Sequence, residues 1–403
     1  MDKVTNFAWP VTSVNREDKV CFDKWFEEHK DILKERSVII WGAGIRGTVF
    51  SLFFERKGYT NILFTDNDEG KWGGYINAFE IIPPRKAFTY VTEKRSIFLI
   101  STENSDEIEE NLSKQGYQIS SEFFVIKTHL YDKYIWEFAR KYNKNILMLG
   151  DCEFSTISLN DTDTSNLAEM LKTCLGEDQC KILAMHGMGL RSHYHVLKAQ
   201  IENKMCPGIL VLMINLDTLT GKQHLLPRSQ HEQLLRRVYA YISMQDEEFE
   251  EYLGDVHERT KNIQVEFSTE KPRTETAQRE VKARNYFKIN YLYNLNIETE
   301  GMKYLVKILE LAGEKHIKAI LFVPPVNYEY GENLFGEVFL KKYEDNISKI
   351  KKIVEGQGYG LLDLSYILPA VMFAEENTPD ETANELGRRR VAEKIISEIE
   401  RMR

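Results

Sequence analysis

Short apolar runs of strand length recur along the chain, and stretches of helical periodicity separate them. In the first third of the chain, these runs lie at residues 37–41, 61–66, 96–100 and 121–126. An amphipathic stretch, residues 23–35, precedes the first run and predicts a leading helix. Because strands that alternate with helices build parallel sheets, this part of the chain predicts a small α/β unit.

The pattern restarts at Asn145 with five further apolar runs, again separated by helical stretches. They lie at residues 146–150, 181–185, 208–216, 318–325 and 360–364. These runs predict an open doubly wound sheet, in which the ligand crevice lies at the carboxyl ends of the strands. Residues 220–300 interrupt the pattern with an amphipathic helix and a polar, charged stretch, which predicts a helical insertion over the crevice.

The length of the chain and its pattern together predict two domains. A chain of 403 residues is too long for one compact core. The pattern places the first domain at residues 1–127, a linker helix at residues 128–144 and the second domain at residues 145–403. The fold class expected is therefore α/β, with two doubly wound domains.

Charge and cysteine usage narrow the class of protein. The net charge of −9 leaves no basic surplus for neutralising phosphates, so no nucleic acid is expected as a partner. No apolar run reaches the ~18–20 residues that cross a bilayer, so no membrane span is expected. Five cysteines without CxxC spacing favour neither a disulfide framework nor a metal site, and they predict a reducing, cytoplasmic compartment. The sequence predicts no metal and leaves an oligomer possible.

A glycine-rich turn follows the first apolar run and carries the first candidate binding site. Gly42, Gly44 and Gly47 form a GxGxxG pattern between a strand and a helix, and Asp66 ends the next strand. Such glycines let the backbone approach a pyrophosphate, and the acid can accept hydrogen bonds from ribose hydroxyls. The pattern predicts a Rossmann-like unit for a nucleotide or nucleotide-sugar; the alternative is a structural unit without a ligand. Arg46 either contacts an anion or is solvated.

The sequence around this turn resembles a known module. The segments WGAGIRG, TDND, Lys71-Trp72-Gly73 and EIIPPRKAF resemble the nucleotide-binding-like Rossmann module of bacterial surface-glycan biosynthesis proteins. The resemblance covers about residues 37–127 and does not identify the ligand.

The ends of the later strands carry the second group of candidate residues. Asp151 and Cys152 follow the run 146–150, His186 and Gly189 follow the next run, and Asn215 follows the third. The segment from Asp380 to Arg390 opens the last helix. Because the carboxyl ends of parallel strands meet at one edge of a sheet, these residues are expected to face one crevice.

These residues resemble the blocks of the SGNH (GDSL-like) hydrolase superfamily, nearest to its branch with the D-alanyl transfer protein and glycan O-acyl enzymes. GDCEFS places Cys152 at the nucleophile, Gly187 or Gly189 matches the oxyanion-hole glycine, and Asn215 resembles the asparagine of the third block. DETANELGRRRVAEKI resembles the last block, and the likeness covers about residues 145–219 and 318–403. The resemblance implies an acyl-ester hydrolase or O-acyltransferase acting on a glycan or an acyl-carrying small molecule.

Two departures from the family pattern leave the activity open. Cys152 replaces serine, and Thr382 stands where the family has the histidine base, although Asp380 is retained. A cysteine at a helix N-terminus is partly ionised, which is compatible with thiol acyl transfer, whereas Asp151 beside it would raise the thiol pKa. His186 is the candidate substitute base. The alternative is a catalytically inactive binding or scaffold protein, whose Rossmann-like domain binds a nucleotide or nucleotide-sugar.

Overall fold

The protein is described by a computed structural model that covers residues 12–102, 105–143, 145–220, 228–250, 275–379 and 381–403. The chain divides into two compact units, Met1–His129 and Leu130–Arg403. Both units contain a parallel or mostly parallel sheet with helices between its strands, so the prediction of an α/β chain is confirmed. Asp380 and residues 251–274 of the predicted insertion lie outside the described residues.

The first unit is built around a six-stranded sheet. Its elements are β1 (Ser13–Asn15), α1 (Arg16–Glu28), α2 (Lys30–Glu35), β2 (Ser37–Trp41), α3 (Ile45–Arg56), β3 (Ile62–Thr65), β4 (Tyr75–Ile76), β5 (Phe79–Ile82), α4 (Pro84–Thr92), β6 (Ser96–Ile100), α5 (Asp106–Lys114) and β7 (Phe123–Val125). The sheet order is β4-β5-β3-β2-β6-β7, with only β4 antiparallel to its neighbour. The leading helix predicted over 23–35 is two helices that meet at His29.

Aromatic side chains hold the leading helix of this unit against the sheet. Phe22 of α1 is fully buried and meets Phe54 of α3 edge-on, with 4.7 Å between the ring centroids. Trp25 and Phe26 extend the same cluster towards Phe54. Edge-on pairs of this kind add about 0.5–1.5 kcal/mol to the energy of burial. The apolar face of α1 thus forms part of the core beneath the glycine turn.

The second unit is built around a five-stranded sheet. Its elements are α6 (Leu130–Ala139), β8 (Ile146–Gly150), β9 (Thr156–Ser158), α7 (Leu167–Leu175), β10 (Cys180–Ala184), α8 (Leu190–Glu202), β11 (Ile209–Met213), α9 (Arg228–Tyr241), α10 (Glu275–Asn290), α11 (Glu300–Glu314), β12 (Lys318–Val323), α12 (Tyr328–Phe335), α13 (Glu337–Gly356), β13 (Gly360–Asp363) and α14 (Glu385–Met402). All five strands of the sheet β10-β8-β11-β12-β13 run parallel.

The strand order of the second unit decides where a site can form. β8 lies between β10 and β11, although it precedes both in the chain. The chain leaves β8 towards β10 on one side and leaves β11 towards β12 on the other, so the loops that follow β8 and β11 separate to open a crevice. The turns after β8, β10 and β11 carry the candidate residues 151–152, 186–189 and 215.

Helices of the segment 220–300 contribute to the core of this unit. Leu234, Leu235 and Val238 of α9 are buried in the same hydrophobic cluster as Met188 and Leu197. Phe287 of α10 is also fully buried there. The described part of the predicted insertion is therefore held to the sheet by apolar packing. Among the described residues, none of the helices combines the length and the apolarity needed to cross a bilayer.

Candidate functional site

The turn after β8 positions the candidate nucleophile. Asp151 caps a three-residue 3₁₀ helix, Cys152–Phe154, and its Oδ1 accepts a hydrogen bond from the Glu153 N–H at 3.0 Å. The hydroxyls of Ser155 and Thr156 donate to the Cys152 carbonyl at 3.1 Å and 2.7 Å. These side-chain bonds compete with helix propagation, and the chain continues as β9. The expected helix N-terminus at Cys152 is therefore wrong, since only a single turn forms.

Gly150 is required by the tightness of this turn. A Cβ atom at position 150 would lie 2.2 Å from a ring carbon of Phe154. The Phe154 ring is buried and packs against Phe322 of β12 at 6.3 Å between centroids, so it has little freedom to move away. The close contact presses the turn onto the end of the sheet and directs Asp151 and Cys152 to its carboxyl edge.

One side-chain amide joins two of the strand-end loops to the last loop of the chain. The Nδ2 of Asn215 donates to Asp151 Oδ2 at 3.2 Å and to Glu381 Oε2 at 2.7 Å. Asn215, Asp151 and Glu381 are all buried. The sequence predicted Asn215 and Asp151 at this edge, and the structure brings them together. Glu381 was missed, because the alignment of the last block directed attention to its neighbours Asp380 and Thr382.

Several acids lie around the Asn215 amide and the Cys152 turn. Burial raises the pKa of Asp151, of Asp217 and of Glu381, and the charges of the neighbouring carboxylates add to the effect at Asp217 and Glu381. The pKa of Asp217 rises to about 8. The donated bonds from Asn215 and from the Glu153 N–H act in the opposite direction at Asp151. The surroundings thus favour the protonated form of these carboxyls.

Cys152 is surrounded by the same acids. Burial and the carboxylates of Asp151, Glu153, Asp217 and Glu381 raise the pKa of its thiol well above the ordinary value. Of the two expectations for this thiol, these surroundings favour the raised pKa beside Asp151 over the partly ionised thiolate. The physical reason is that burial and negative neighbours both disfavour a sulfur anion, and no long helix offers compensating N–H donors.

Asp217 is a strand-end acid to which the sequence pattern assigned no catalytic role. It lies two residues after Asn215, and its N–H donates to Asn215 Oδ1 at 3.3 Å. Its Oδ1 is buried and has no hydrogen-bond partner within the described part of the chain. A buried carboxyl oxygen without a partner is costly, and such groups are retained where they perform chemistry. The available signal was an acid at the end of β11, in the segment Asn215-Leu-Asp.

The remaining sequence candidates of the second unit have different surroundings. His186 is exposed in the turn between β10 and α8. This turn lies beside the turn that carries Asp151, because Ala184 of β10 pairs with Gly150 of β8. Gly189 is the residue that precedes α8. Thr382 is buried next to Glu381, and its carbonyl accepts from the Ala374 N–H at 2.8 Å. A threonine hydroxyl cannot serve as the missing imidazole base.

The glycine turn of the first unit is packed closely at two of its glycines and open at the other. Gly42 has φ +116°, and a Cβ atom at Gly47 would lie 2.1 Å from the Gly42 carbonyl oxygen. Nothing lies within 4 Å of a Cβ atom built at Gly44, so the turn is open there. The first and third glycines are needed for packing, whereas the second leaves space for a ligand.

The two polar side chains predicted beside this turn are already engaged. Asp66 Oδ2 accepts from the Ala43 N–H at 2.8 Å and from Lys71 Nζ at 2.8 Å. Arg46 donates to Asp18 at 2.8 Å and to the Ile126 carbonyl at 2.8 Å. Asp66 thereby holds the glycine turn, and Arg46 holds the leading helix. The contact of Arg46 with a bound anion stays a prediction.

The described residues contain no group of three or more His, Cys, Asp or Glu side chains arranged to hold a metal ion. The acids near Cys152 converge on no common centre in that part of the chain. Two of these acids, Asp151 and Glu381, are joined by the side-chain amide of Asn215.

Comparisons with known proteins give weak structural similarities. No protein-family model matches the sequence, and no curated protein matches it. The chain is similar to a structure assigned as an acylhydrolase from Bacteroides fragilis, with 10% identity and a TM-score of 0.34 over 67% of this chain and 96% of that chain. It is similar to the α/β hydrolase LAE5 from the metagenome of Lake Arreo, with 11% identity and a TM-score of 0.33 over 65% and 97%.

A third similarity is to a variant of Axe2, an acetyl xylan esterase from Geobacillus stearothermophilus. The identity is 12% and the TM-score is 0.32, over 64% of this chain and 95% of that chain. All three structures are described as hydrolases or esterases. These TM-scores and identities are too low to determine what this chain does.

Proposed function

We propose that the second unit is an SGNH-like acyl-ester hydrolase or acyltransferase, with Cys152 as its nucleophile and Asp217 as its general base. The observation that carries the proposal is Asp217: a carboxyl with a buried, unpartnered oxygen, close enough to Cys152 to raise the pKa of its thiol. The strand order places this pair at the carboxyl edge of the sheet, where α/β proteins bind ligands.

The chemistry depends on matching two pKa values. An ordinary aspartate, with a pKa of about 3.9, is far too weak a base for a thiol. Burial raises the pKa of Asp217 to about 8, which brings it towards the raised pKa of Cys152. Proton transfer from the thiol to this carboxylate therefore costs much less free energy than transfer to an ordinary, solvated aspartate. A general base is most effective when its pKa lies near the working pH.

The proposed reaction proceeds in two balanced steps. The Cys152 S–H proton passes to the Asp217 carboxylate while sulfur bonds to the acyl carbonyl carbon. The ester C–O bond then breaks, and the departing alkoxide takes the proton from Asp217 as an alcohol. Water or a second hydroxyl gives its proton to Asp217 and attacks the thioester, and the departing thiolate takes that proton, which restores the thiol. The backbone N–H groups of Cys152 and Gly189 are the proposed oxyanion donors.

Asn215 takes a different role from the one its family position implies. Its amide already donates to Asp151 and Glu381, and these bonds hold two carboxyls beside the nucleophile. We assign it to organising the acids, and not to the oxyanion. The acyl acceptor that we propose is a glycan or glycoconjugate of the bacterial surface, modified in the cytoplasm, and this part rests on the resemblance of the sequence blocks.

Intact-protein mass spectrometry after incubation with p-nitrophenyl acetate tests the nucleophile. We expect the wild type to gain one acetyl group that is lost on standing, and Cys152→Ala to gain none at the same position. Cys152→Ser should acylate far more slowly, because a hydroxyl is harder to deprotonate than a thiol. Cys174→Ala is the matched control, since Cys174 is exposed and can be acylated adventitiously. Equal acetylation of the wild type and Cys152→Ala would refute the proposal.

A second candidate function is binding without catalysis. The observation that favours it is the raised pKa of the Cys152 thiol, which leaves the resting nucleophile protonated. A scaffold protein predicts no acyl adduct at Cys152 with any activated ester. It also predicts that Asp217→Asn changes no rate, whereas the catalytic proposal requires a large loss.

We further propose that the first unit is a Rossmann-like domain that binds a nucleotide or nucleotide-sugar at the glycine turn. The open space at Gly44 and the N-terminus of α3 support a phosphate there. Asp66 is held by the Ala43 N–H and Lys71. A ribose contact with this acid would therefore share an oxygen that already has partners.

Thermal unfolding with a panel of nucleotides and nucleotide-sugars tests this site. A ligand at 100 times its Kd adds about 2.7 kcal/mol of stability, which raises the Tm by several degrees. We expect Gly44→Val to fold, because no atom lies within 4 Å of the added Cβ, and to lose the shift because its methyl groups fill the space for phosphate. Gly44→Ala should give an intermediate shift. The absence of any shift in the wild type would exclude the ligand class.

A further inference from the structure

The turn between β10 and α8 approaches the acid cluster and is unusually well fixed. It runs from His186 to Gly189, with Gly187 at φ +69°. The Met188 N–H donates to the Met185 carbonyl at 3.0 Å, and the Met188 side chain is buried. Ala184 at the end of β10 pairs with Gly150 at the end of β8, so this turn and the nucleophile turn are neighbours. The proposed oxyanion donor, the Gly189 N–H, ends the same turn.

Two buried histidines from different helices bind the backbone of this turn. The Nε2 of His231, on α9, lies 2.9 Å from the His186 carbonyl oxygen. A carbonyl only accepts, so His231 carries its proton on Nε2. His193, on α8, has a hydrogen bond to the Met188 backbone that raises the pKa of its imidazole, so that partner is also an acceptor. The two histidines thus donate to two backbone groups of one short turn.

Neither histidine is suited to proton transfer at neutral pH. Burial lowers the pKa of both, and that of His193 falls to about 3. Both side chains are buried, and the Nδ1 of His193 has no partner among the described residues. A neutral imidazole with one N–H aimed at a carbonyl acts as a directional tether. Its rigid ring fixes the carbonyl with little loss of side-chain entropy.

We propose that His231 is a positioning residue, by which the segment 228–250 holds the His186–Gly189 turn in place for the acyl-transfer site. His193 binds the turn from α8, the helix that directly follows it. His231 comes from α9, which is fastened to the core by Leu234, Leu235 and Val238. The site is therefore completed by a helix that interrupts the strand pattern. The catalytic part of this inference rests on the proposed function, whereas the tether itself does not.

Three substitutions of His231 distinguish the loss of its hydrogen bond to the His186 carbonyl from a loss of packing. In His231→Gln, the side-chain amide reaches about as far as the imidazole Nε2 does, so this variant retains the donor. His231→Asn retains a polar side chain whose amide stops short of the carbonyl. His231→Leu fills the volume without a donor. Arg236→Leu, an exposed change on the same helix, is the control for effects of α9 as a whole.

Amide hydrogen exchange in the full-length protein, followed by mass spectrometry, measures how firmly the His186–Gly189 turn is held. We expect exchange in the peptide spanning residues 185–190 to quicken about tenfold in His231→Asn and His231→Leu. His231→Gln and Arg236→Leu should match the wild type. If His231→Leu fails to fold, His231→Asn against His231→Gln gives the same comparison. Unchanged exchange in every variant would overturn the tether.

The rate of acetylation at Cys152 by p-nitrophenyl acetate is the second measurement. A positioning role predicts a drop of about tenfold or more in His231→Asn, with the rate restored in His231→Gln. Faster exchange with an unchanged acetylation rate would overturn the catalytic part of the inference. A wild type that exchanges as expected, yet forms no adduct at Cys152, would refute the proposed function and leave the tether standing.

Discussion

Asp217→Asn is expected to lower the rate of acyl transfer by about 10²–10⁴-fold, which is the usual contribution of a positioned general base. The amide matches the carboxyl in shape but accepts no proton from Cys152. The rate of the wild type should rise with pH through about 8, because the Asp217 carboxyl must be ionised to act. That limb of the pH–rate profile should be absent in the variant. The measurement is the initial rate of acetyl release across a pH range that brackets this pKa.

The same substitution is also expected to change how the free energy of unfolding depends on pH. The pKa of Asp217 is raised in the folded protein, so between about pH 4 and 8 the unfolded chain releases a proton that the native state retains. Stability therefore falls as the pH rises through this window, and the Asn variant removes that dependence. Three other titratable groups lie around Asp217, namely Asp151, Glu381 and Tyr293. The contribution of Asp217 is therefore the difference between wild type and variant in the slope of unfolding free energy against pH.

An exposed aspartate of the second unit provides the control for Asp217→Asn. Asp345 is exposed on α13, and Asp345→Asn should change neither the rate nor its pH dependence. If Asp217→Asn retained the wild-type rate at a pH of about 8, where the carboxyl is half ionised, Asp217 would not be the base. An unchanged rate together with an unchanged stability slope would also contradict the raised pKa.

Arg388→Met is expected to lower the free energy of unfolding by about 3–5 kcal/mol, as is typical when one partner of a buried ion pair is removed. Arg388 is 2% exposed and lies 2.6 Å from Asp161. It also donates to the carbonyls of Ser165 at 3.1 Å, Asp163 at 3.2 Å and Ala383 at 2.9 Å. Methionine fills much of the volume, but it removes the cationic partner of the buried Asp161 carboxylate and the guanidinium donor to these carbonyls. Within the described part of the chain, Asp161 then retains only the backbone N–H donors of Ser158 and Glu385.

The structure supplies a matched control at the next residue. Arg389 pairs with Asp163 at 2.7 Å, but its side chain is 56% exposed, so Arg389→Met should cost at most about 1 kcal/mol. Both variants are measured by urea denaturation, followed through the second unit. Because Arg388 secures the start of α14 next to Glu381, its loss should also slow acetylation at Cys152. Equal small losses for both variants would show that the buried pair contributes little.

Much of the fold could be predicted from the sequence, because local apolar patterns report burial directly. The strands β2, β6 and β8 lie where their apolar runs predicted, and the strand runs 208–216 and 318–325 contain the shorter β11 and β12. The periodicities of strands and helices are properties of the backbone, so they need no tertiary information. The glycine turn was also predictable, since a strand, three spaced glycines and a helix have few other solutions.

The candidate site was predicted only in part. Asp151, Cys152 and Asn215 follow strands, so their meeting at one edge follows from the parallel sheet. Glu381 lies 166 residues beyond Asn215, and only the folded chain shows that one amide binds both it and Asp151. The helix expected at Cys152 fails for a local reason, because two hydroxyls capture the Cys152 carbonyl.

What the sequence alone determined is therefore the order of strands and helices, the glycine turn and the residue types at the strand ends. What only the tertiary structure decided is the chemistry of those residues. The ionisation of Cys152 and Asp217 depends on how much water and how many carboxylates surround them, and both depend on segments distant along the chain. A pKa is a property of an environment, and an environment exists only once the chain is folded.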